Sequence, residues 1–265
     1  MLVWSKSGRA LVWTFAGLLI GIVYAAPLAI IAMASLAGEW NGVLPTKPTL
    51  EHYASALSGA SGELLQASLI TGAVASLVAL GLGTWAALAL RAMAPLPRRI
   101  LDVIFFIPSA VPSVSVGLGL LVAFSRPPLL LNGTTTIVFI AHFVLISAFT
   151  YGNLSAGLAR LPPDYEQVAE SLGARAFYRL TRVTLPLVLP YMLAALSLSF
   201  AMSMGELGAT IMVYPPGWVT MPVGIFALTD RGDVFEGSAL TMLLIASTLA
   251  MLLILSRIPT KAAPR

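Results

Sequence analysis

Apolar residues in this chain come in long runs separated by short polar connections, without the alternation of a half-buried strand or the stripe of a surface helix. Charge-free runs occupy residues 11–36, 64–90, 103–125, 134–158 and 237–256, and a further run, 186–207, carries the single acid Glu206. At about 1.5 Å of rise per residue, each can cross a hydrocarbon layer of about 30 Å as a helix. The pattern predicts an all-α polytopic membrane protein, with six transmembrane helices in a single transmembrane domain over residues 1–265. The apolar part of the first run is too long for the core of a signal peptide, so it reads as a span. The third run contains Pro108 and Pro112 beside Ser109, Ser113 and Ser115. Its freed carbonyls need partners, which predicts a helix inside the bundle or along a wet path. Residues 207–229 are also uncharged, but Pro215, Pro216, Gly217 and Pro222 interrupt them. That stretch reads as an external loop, partly re-entrant, leading into Asp230-Arg231-Gly232-Asp233.

The polar connection at 160–186 carries a two-helix plan. Pro162 and Pro163 end the preceding helix, Asp164 stands at a predicted N-cap, and Gln167 can close a capping box. Tyr165, Val168, Ala169 and Leu172 recur at i, i+3, i+4 and i+7 and form one apolar face, with Glu166, Gln167 and Glu170 opposite. Gly173 follows where a helix takes a left-handed residue. A second helical segment is expected over residues 174–183, with Arg175, Arg179 and Arg182 at helical spacing, before the fifth span starts at Pro186. The connection contains no core to cover the apolar face of its first helix.

Composition agrees with a membrane protein: 58% of residues are hydrophobic and 10% charged, and six spans leave no length for a soluble domain of ordinary size. The net charge of +4 marks orientation rather than nucleic-acid binding. With both termini inside, Lys6, Arg9, Arg91, Arg98, Arg99, Arg160, Arg175, Arg179, Arg182, Arg257, Lys261 and Arg265 are cytoplasmic, and only Lys47, Arg126 and Arg231 of the 15 lysines and arginines are outside. The acids are distributed the other way. This asymmetry orients the chain, and a seventh span at 207–229 would reverse it for the last three basic residues. The absence of cysteine excludes disulfides and thiolate chemistry. None of the three lysines follows a glycine, so the chain has no phosphate-binding loop and no ATPase of its own. His52 and His142 form no metalloprotease motif, and no G-x-S-x-G elbow occurs. No catalytic residue and no metal site are therefore expected, and an intramembrane enzyme lacks its constellation. Two ionisable positions inside spans remain as candidates: His142, most simply a neutral histidine bonded to a neighbouring helix, and Glu206, flanked by Gly205 and Gly208 near the outer end of the fifth span.

The string Gln167-Val168-Ala169, three residues, Gly173, nine residues, Val183, one residue, Leu185-Pro186 resembles the EAA loop of ABC importer permeases, E-A-A-x3-G-x9-I-x-L-P. Ala169, Gly173, Leu185-Pro186 and both spacings match. Gln167, Val168 and Val183 depart from the pattern, and Glu166 offers an acid one place early. Gly205-Glu206-Leu207-Gly208-Ala209-Thr210 resembles the molybdate, sulfate and ferric-iron class of these permeases. Tyr214-Pro215-Pro216-Gly217-Trp218, Asp230-Arg231-Gly232-Asp233, the stretch from Pro108 to Gly117 and Trp40-Asn41-Gly42-Val43-Leu44-Pro45 narrow the resemblance to the 2-aminoethylphosphonate branch.

The resemblance implies the permease of a type I importer in a bacterial inner membrane. Its partners would be a second, similar or identical permease, two cytoplasmic ATPase subunits that carry ATP and Mg, and an external solute-binding protein. No cofactor would be bound by this chain. A cytoplasmic coupling helix would present Tyr165, Glu166, Gln167, Val168, Ala169, Leu172, Gly173 and Arg175 to an ATPase. A translocation path would run past Ser109, Pro112, Ser113, His142, Glu206 and Gly208. The implied solute is 2-aminoethylphosphonate, with molybdate, sulfate or ferric iron as the alternative.

Overall fold

The computed structural model describes residues 5–259; Lys261 and Arg265, counted above as cytoplasmic, lie outside them. Helices dominate. In chain order they are α1 (Lys6–Ser35), α2 (Glu51–Ala56), α3 (Gly59–Arg91), α4 (Pro95–Ala110), α5 (Ser113–Ala123), α6 (Thr135–Ala159), α7 (Asp164–Ser171), α8 (Ala176–Met204), α9 (Thr210–Val213), α10 (Met221–Asp230) and α11 (Val234–Ser256). Five of these, α1, α3, α6, α8 and α11, are long and apolar enough to cross a membrane, and the bent pair α4–α5 makes a sixth span if counted as one.

Two compact units share the chain, residues 5–62 with Gly224–Ile245 and residues 63–223 with 246–259. In the first, the connection after α1 folds into an antiparallel pair, β1 (Ala37–Glu39) and β2 (Thr46–Pro48), in which Ala37 faces Pro48 and Glu39 faces Thr46. Lys47 pairs with Glu39, and the Gly38 Cα faces the Lys47 carbonyl so closely that a Cβ there would lie 2.6 Å from its oxygen. In the second unit α6 is the central post, packed on α8, α4 and α5. Its residues Tyr151, Leu154 and Leu158 are buried with Ala87, Leu90, Val188 and Ala195. A second cluster joins Ile137, Val138 and Ala141 of α6 to Ala209 and Val213. Lipid tails are as apolar as leucine, so these contacts rest on close packing and on buried hydroxyls such as Thr150, whose Oγ1 lies 2.6 Å from Ser199 Oγ, rather than on water exclusion.

Three expectations are corrected. The third span is not one straight helix over 103–125. It starts at Pro95, which suits a first helical position, and turns by 102° between Ala110 and Ser113. Proline at 112 forces Val111 out of helical space to φ −96°, ψ 134°, and α5 restarts after it. The fifth span does not begin at Pro186. The helix runs unbroken for 29 residues from Ala176, about 44 Å, and its first turns therefore project beyond the hydrocarbon. Asp164 is not an N-cap and Gln167 closes no box. Pro163, held by its ring at φ −63°, already adopts helical geometry, so its carbonyl accepts from the Glu166 and Gln167 N–H groups and the helix starts one residue early.

Candidate functional site

Helix α7 ends as its sequence requires. Gly173 has φ +83°, the left-handed region open to glycine, and its N–H donates to the Glu170 carbonyl at 2.8 Å while the Ala174 N–H reaches the Ala169 carbonyl. The chain then turns into α8 through Arg175, which is extended at φ −69°, ψ 157° and so lies outside the helix that the spacing of the arginines predicts. The result is a corner of two helices with an open depression of about 510 Å³ lined by Ala169, Leu172, Gly173, Ala174, Arg175 and Tyr178.

Two faces of α7 have opposite fates. Leu172 is 82% exposed and Val168 58%; Tyr165 is also exposed and Ala169 half-buried. On the other side the Glu166 Oε1 accepts from Arg91 Nη1 of α3 at 2.9 Å and from the Thr184 hydroxyl of α8 at 2.7 Å. Glu170 pairs with Arg179 at 2.6 Å. Both acids of this face are thus spent on holding α7 to its own chain, and what points away is apolar, with Arg175 and Gln167 exposed beside it. Glu166 therefore stands at the base of the surface rather than on its outward side. Thr184 reaches it from a π-helical turn, Leu180–Thr184, which widens α8 locally.

The path candidates form a second constellation. The break at Pro112, between α4 and α5, meets a second break, Gly205–Ala209, that separates α8 from α9. Here only glycine fits: a Cβ on Gly208 would collide with the Ser113 hydroxyl and lie 3.2 Å from the Val114 nitrogen, and one on Gly117 would sit 2.6 Å from the Ala209 carbonyl oxygen. Within the second break, the Glu206 Oε1 accepts from the Ala209 N–H at 2.7 Å. The carboxylate thereby satisfies one of the free donors at the start of α9. Pro112, Ser113, Glu206 and Gly208 are brought together. Ser109 is not with them, since it lies across the 102° turn, exposed, and donates to the Phe106 carbonyl at 2.7 Å. His142 is also not on an open surface. It is 1% exposed, and its ring bonds Ser203 and Thr210.

Sequence reasoning missed Arg91, Thr184, Ser203, Thr210 and Gly117. Arg91 carried a signal as the basic residue that closes the second run. The hydroxyls carried none, because serine and threonine in apolar helices most often bond their own backbone.

Residues 79–265 match the model of a family described as binding-protein-dependent transport system inner membrane component. Over 258 residues, 97% of each chain, the sequence is 56% identical to a permease of Salmonella paratyphi A named for 2-aminoethylphosphonate transport, PhnV, and 56% identical to its counterpart in Salmonella typhimurium. The fold is similar to a chain of the bacterial alginate ABC transporter solved with an alginate pentasaccharide-bound periplasmic protein, with a TM-score of 0.77 at 16% identity covering 98% of this chain and 97% of that one.

Proposed function

This chain belongs to the family of binding-protein-dependent transport system inner membrane components, and on that premise we propose that it is the permease through which 2-aminoethylphosphonate enters the cell. The observation that carries the solute is the 56% identity, over 97% of both chains, to permeases named for that transport. The protein is a multi-pass component of the inner membrane and a transport permease rather than an enzyme. In the proposed assembly two such permeases meet two cytoplasmic ATPase subunits, and an external binding protein delivers the solute.

Hydrolysis would reside on the ATPase subunits, with ATP and Mg bound there. This chain contributes the coupling surface. The outward Val168 and Leu172 would enter a cleft of the ATPase, with the corner at Gly173 seated against it and Arg175 at the rim. Because Glu166 is drawn to Arg91 and Thr184 and Glu170 is paired with Arg179 on the opposite side of α7, the inserted face needs little desolvation of charge, and its apolar side chains supply the contact area. Movement of α7 would then reach the paired breaks at Pro112 and Gly205–Ala209, where Ser113, Glu206 and Gly208 meet. At that level a zwitterion carrying both an amine and a phosphonate has groups of either sign to offer the Glu206 carboxylate and the backbone donors of the breaks.

The test is uptake by the chain reconstituted with its ATPase and binding protein in proteoliposomes. ATP-dependent accumulation of labelled 2-aminoethylphosphonate is expected, with no accumulation of molybdate or sulfate. Accumulation of an inorganic oxyanion without 2-aminoethylphosphonate would overturn the solute assignment, and absence of any ATP-dependent uptake would overturn the importer reading.

A further inference from the structure

His142 sits about a third of the way along α6, fully buried, and its two ring nitrogens reach two different segments of chain. Nδ1 lies 2.6 Å from the Ser203 hydroxyl and Nε2 lies 2.9 Å from the Thr210 hydroxyl. Ser203 belongs to the last turn of α8 and Thr210 opens α9, and both are buried. One ring therefore grips the two sides of the Gly205–Ala209 break.

A neutral imidazole has one N–H and one bare nitrogen, so His142 donates to one of the two hydroxyls and accepts from the other. Either way one ring satisfies both hydroxyls, and within the break the Glu206 carboxylate takes the Ala209 N–H. His142, Ser203 and Thr210 are all buried, so a bond opened among them finds no water in exchange and each resists opening. Gly208 meets Ser113 of the first break, and Gly117 of α5 meets Ala209 of the second, so closely that neither glycine could carry a Cβ in place.

We propose that His142 is a positioning residue for translocation: it staples α8 to α9 across the break that contains Glu206 and so holds Gly208 against Ser113 and Ala209 against Gly117. The inference rests on the reading of these breaks as part of the transport path, but not on which solute passes. Glutamine can replace the staple, because one side chain again offers a donor and an acceptor; alanine cannot.

The experiment uses the full transporter and the cysteine-free chain, with Gly205→Cys as a reporter. Gly205 is exposed and a Cβ there meets nothing closer than 3.8 Å. His142→Ala is expected to raise the rate of maleimide labelling at position 205 at least about threefold and to lower ATP-dependent uptake about tenfold or more, at wild-type membrane levels. His142→Gln is expected to restore both to within about threefold of the wild type. Ser203→Ala combined with Thr210→Val, which leaves the ring in place, is expected to reproduce the alanine variant and covers the case in which that variant is not inserted. The proposal is overturned by labelling and uptake unchanged in His142→Ala, by faster labelling with intact uptake, or by His142→Gln behaving like His142→Ala at normal membrane levels. The labelling readout needs no solute, so a wrong solute assignment cannot be mistaken for a failed staple.

Discussion

Replacing Glu166 with glutamine separates the two carboxylates that tether α7. The Glu166 side chain is 32% exposed and Arg91 27%, and the second partner, Thr184, is buried. Glutamine keeps the shape and one acceptor but removes the charge shared by Arg91 and the Thr184 hydroxyl. An exposed ion pair contributes about 0.2–1 kcal/mol and a hydrogen bond to a charged group about 1.5–3 kcal/mol before the glutamine recovers part of it. A net loss of about 1–2 kcal/mol raises the population in which α7 has left its seat about 5- to 30-fold. The control is Glu170→Gln. Its pair with Arg179 is also short, but Glu170 is 67% exposed, and at about 0.2–1 kcal/mol loss of such a pair should change the same population by about 1.4- to 5-fold. The assay is trypsin cleavage after Arg175 in inside-out membrane vesicles, at protease levels where reclosing outpaces cutting, so that the rate follows the open population. Glu166→Gln is expected to be cut faster by the factor above. Equal rates for the two variants, or a wild-type rate for Glu166→Gln, would refute the claim that the half-buried Glu166 site is the tether.

Three further outcomes are expected. Gly117→Ala forces the Ala209 backbone away from a contact of 2.6 Å; a loss of about 1–3 kcal/mol should appear as a lower Tm of the detergent-solubilised chain, and an unchanged Tm would show that α5 and α9 can separate freely. Ala169→Asp charges the half-buried edge of the docking face and should release the ATPase subunits on purification while membrane insertion stays normal; retained co-purification with full uptake would remove α7 from the coupling surface. Cysteines at Ser58 and Gly217 should react with an impermeant thiol reagent from outside and one at Arg99 should not, and labelling of the Arg99 variant from outside would overturn the orientation.

Long charge-free runs located the apolar helices because run length against bilayer thickness is a strong constraint. The breaks were only half legible. Pro108 and Pro112 announced a disturbance, but the 102° turn depends on how α5 seats its Gly117 on Ala209, a contact between residues far apart in sequence. The start of α8 was misplaced because Leu185-Pro186 reads as a helix opening; π-helical geometry through Leu180–Thr184 carries the helix past that signal. On α7, period 3.6 separated an apolar from an acidic face, and the exposures of Val168 and Leu172 follow it. Periodicity could not tell whether the acidic face met water or arginine. The answer lay in Arg91, 75 positions from Glu166 along the chain. His142 stood out as an ionisable group in a greasy run, yet its partners are hydroxyls with no pattern of their own.

The uninterrupted course of α8 gives the molecule a lever. Its first turn forms the corner with α7 and its far end stops at the break that Glu206 occupies, 29 residues away. A rod of about 44 Å tilted by about one degree moves its tip by nearly 0.8 Å. At the tip, Gly208 and Gly117 sit so close to Ser113 and Ala209 that not even a Cβ would fit between them. A small rocking motion imposed at the corner is therefore enough to part or jam the two breaks, and the stroke needed there is set by leverage rather than by any large refolding of the helices.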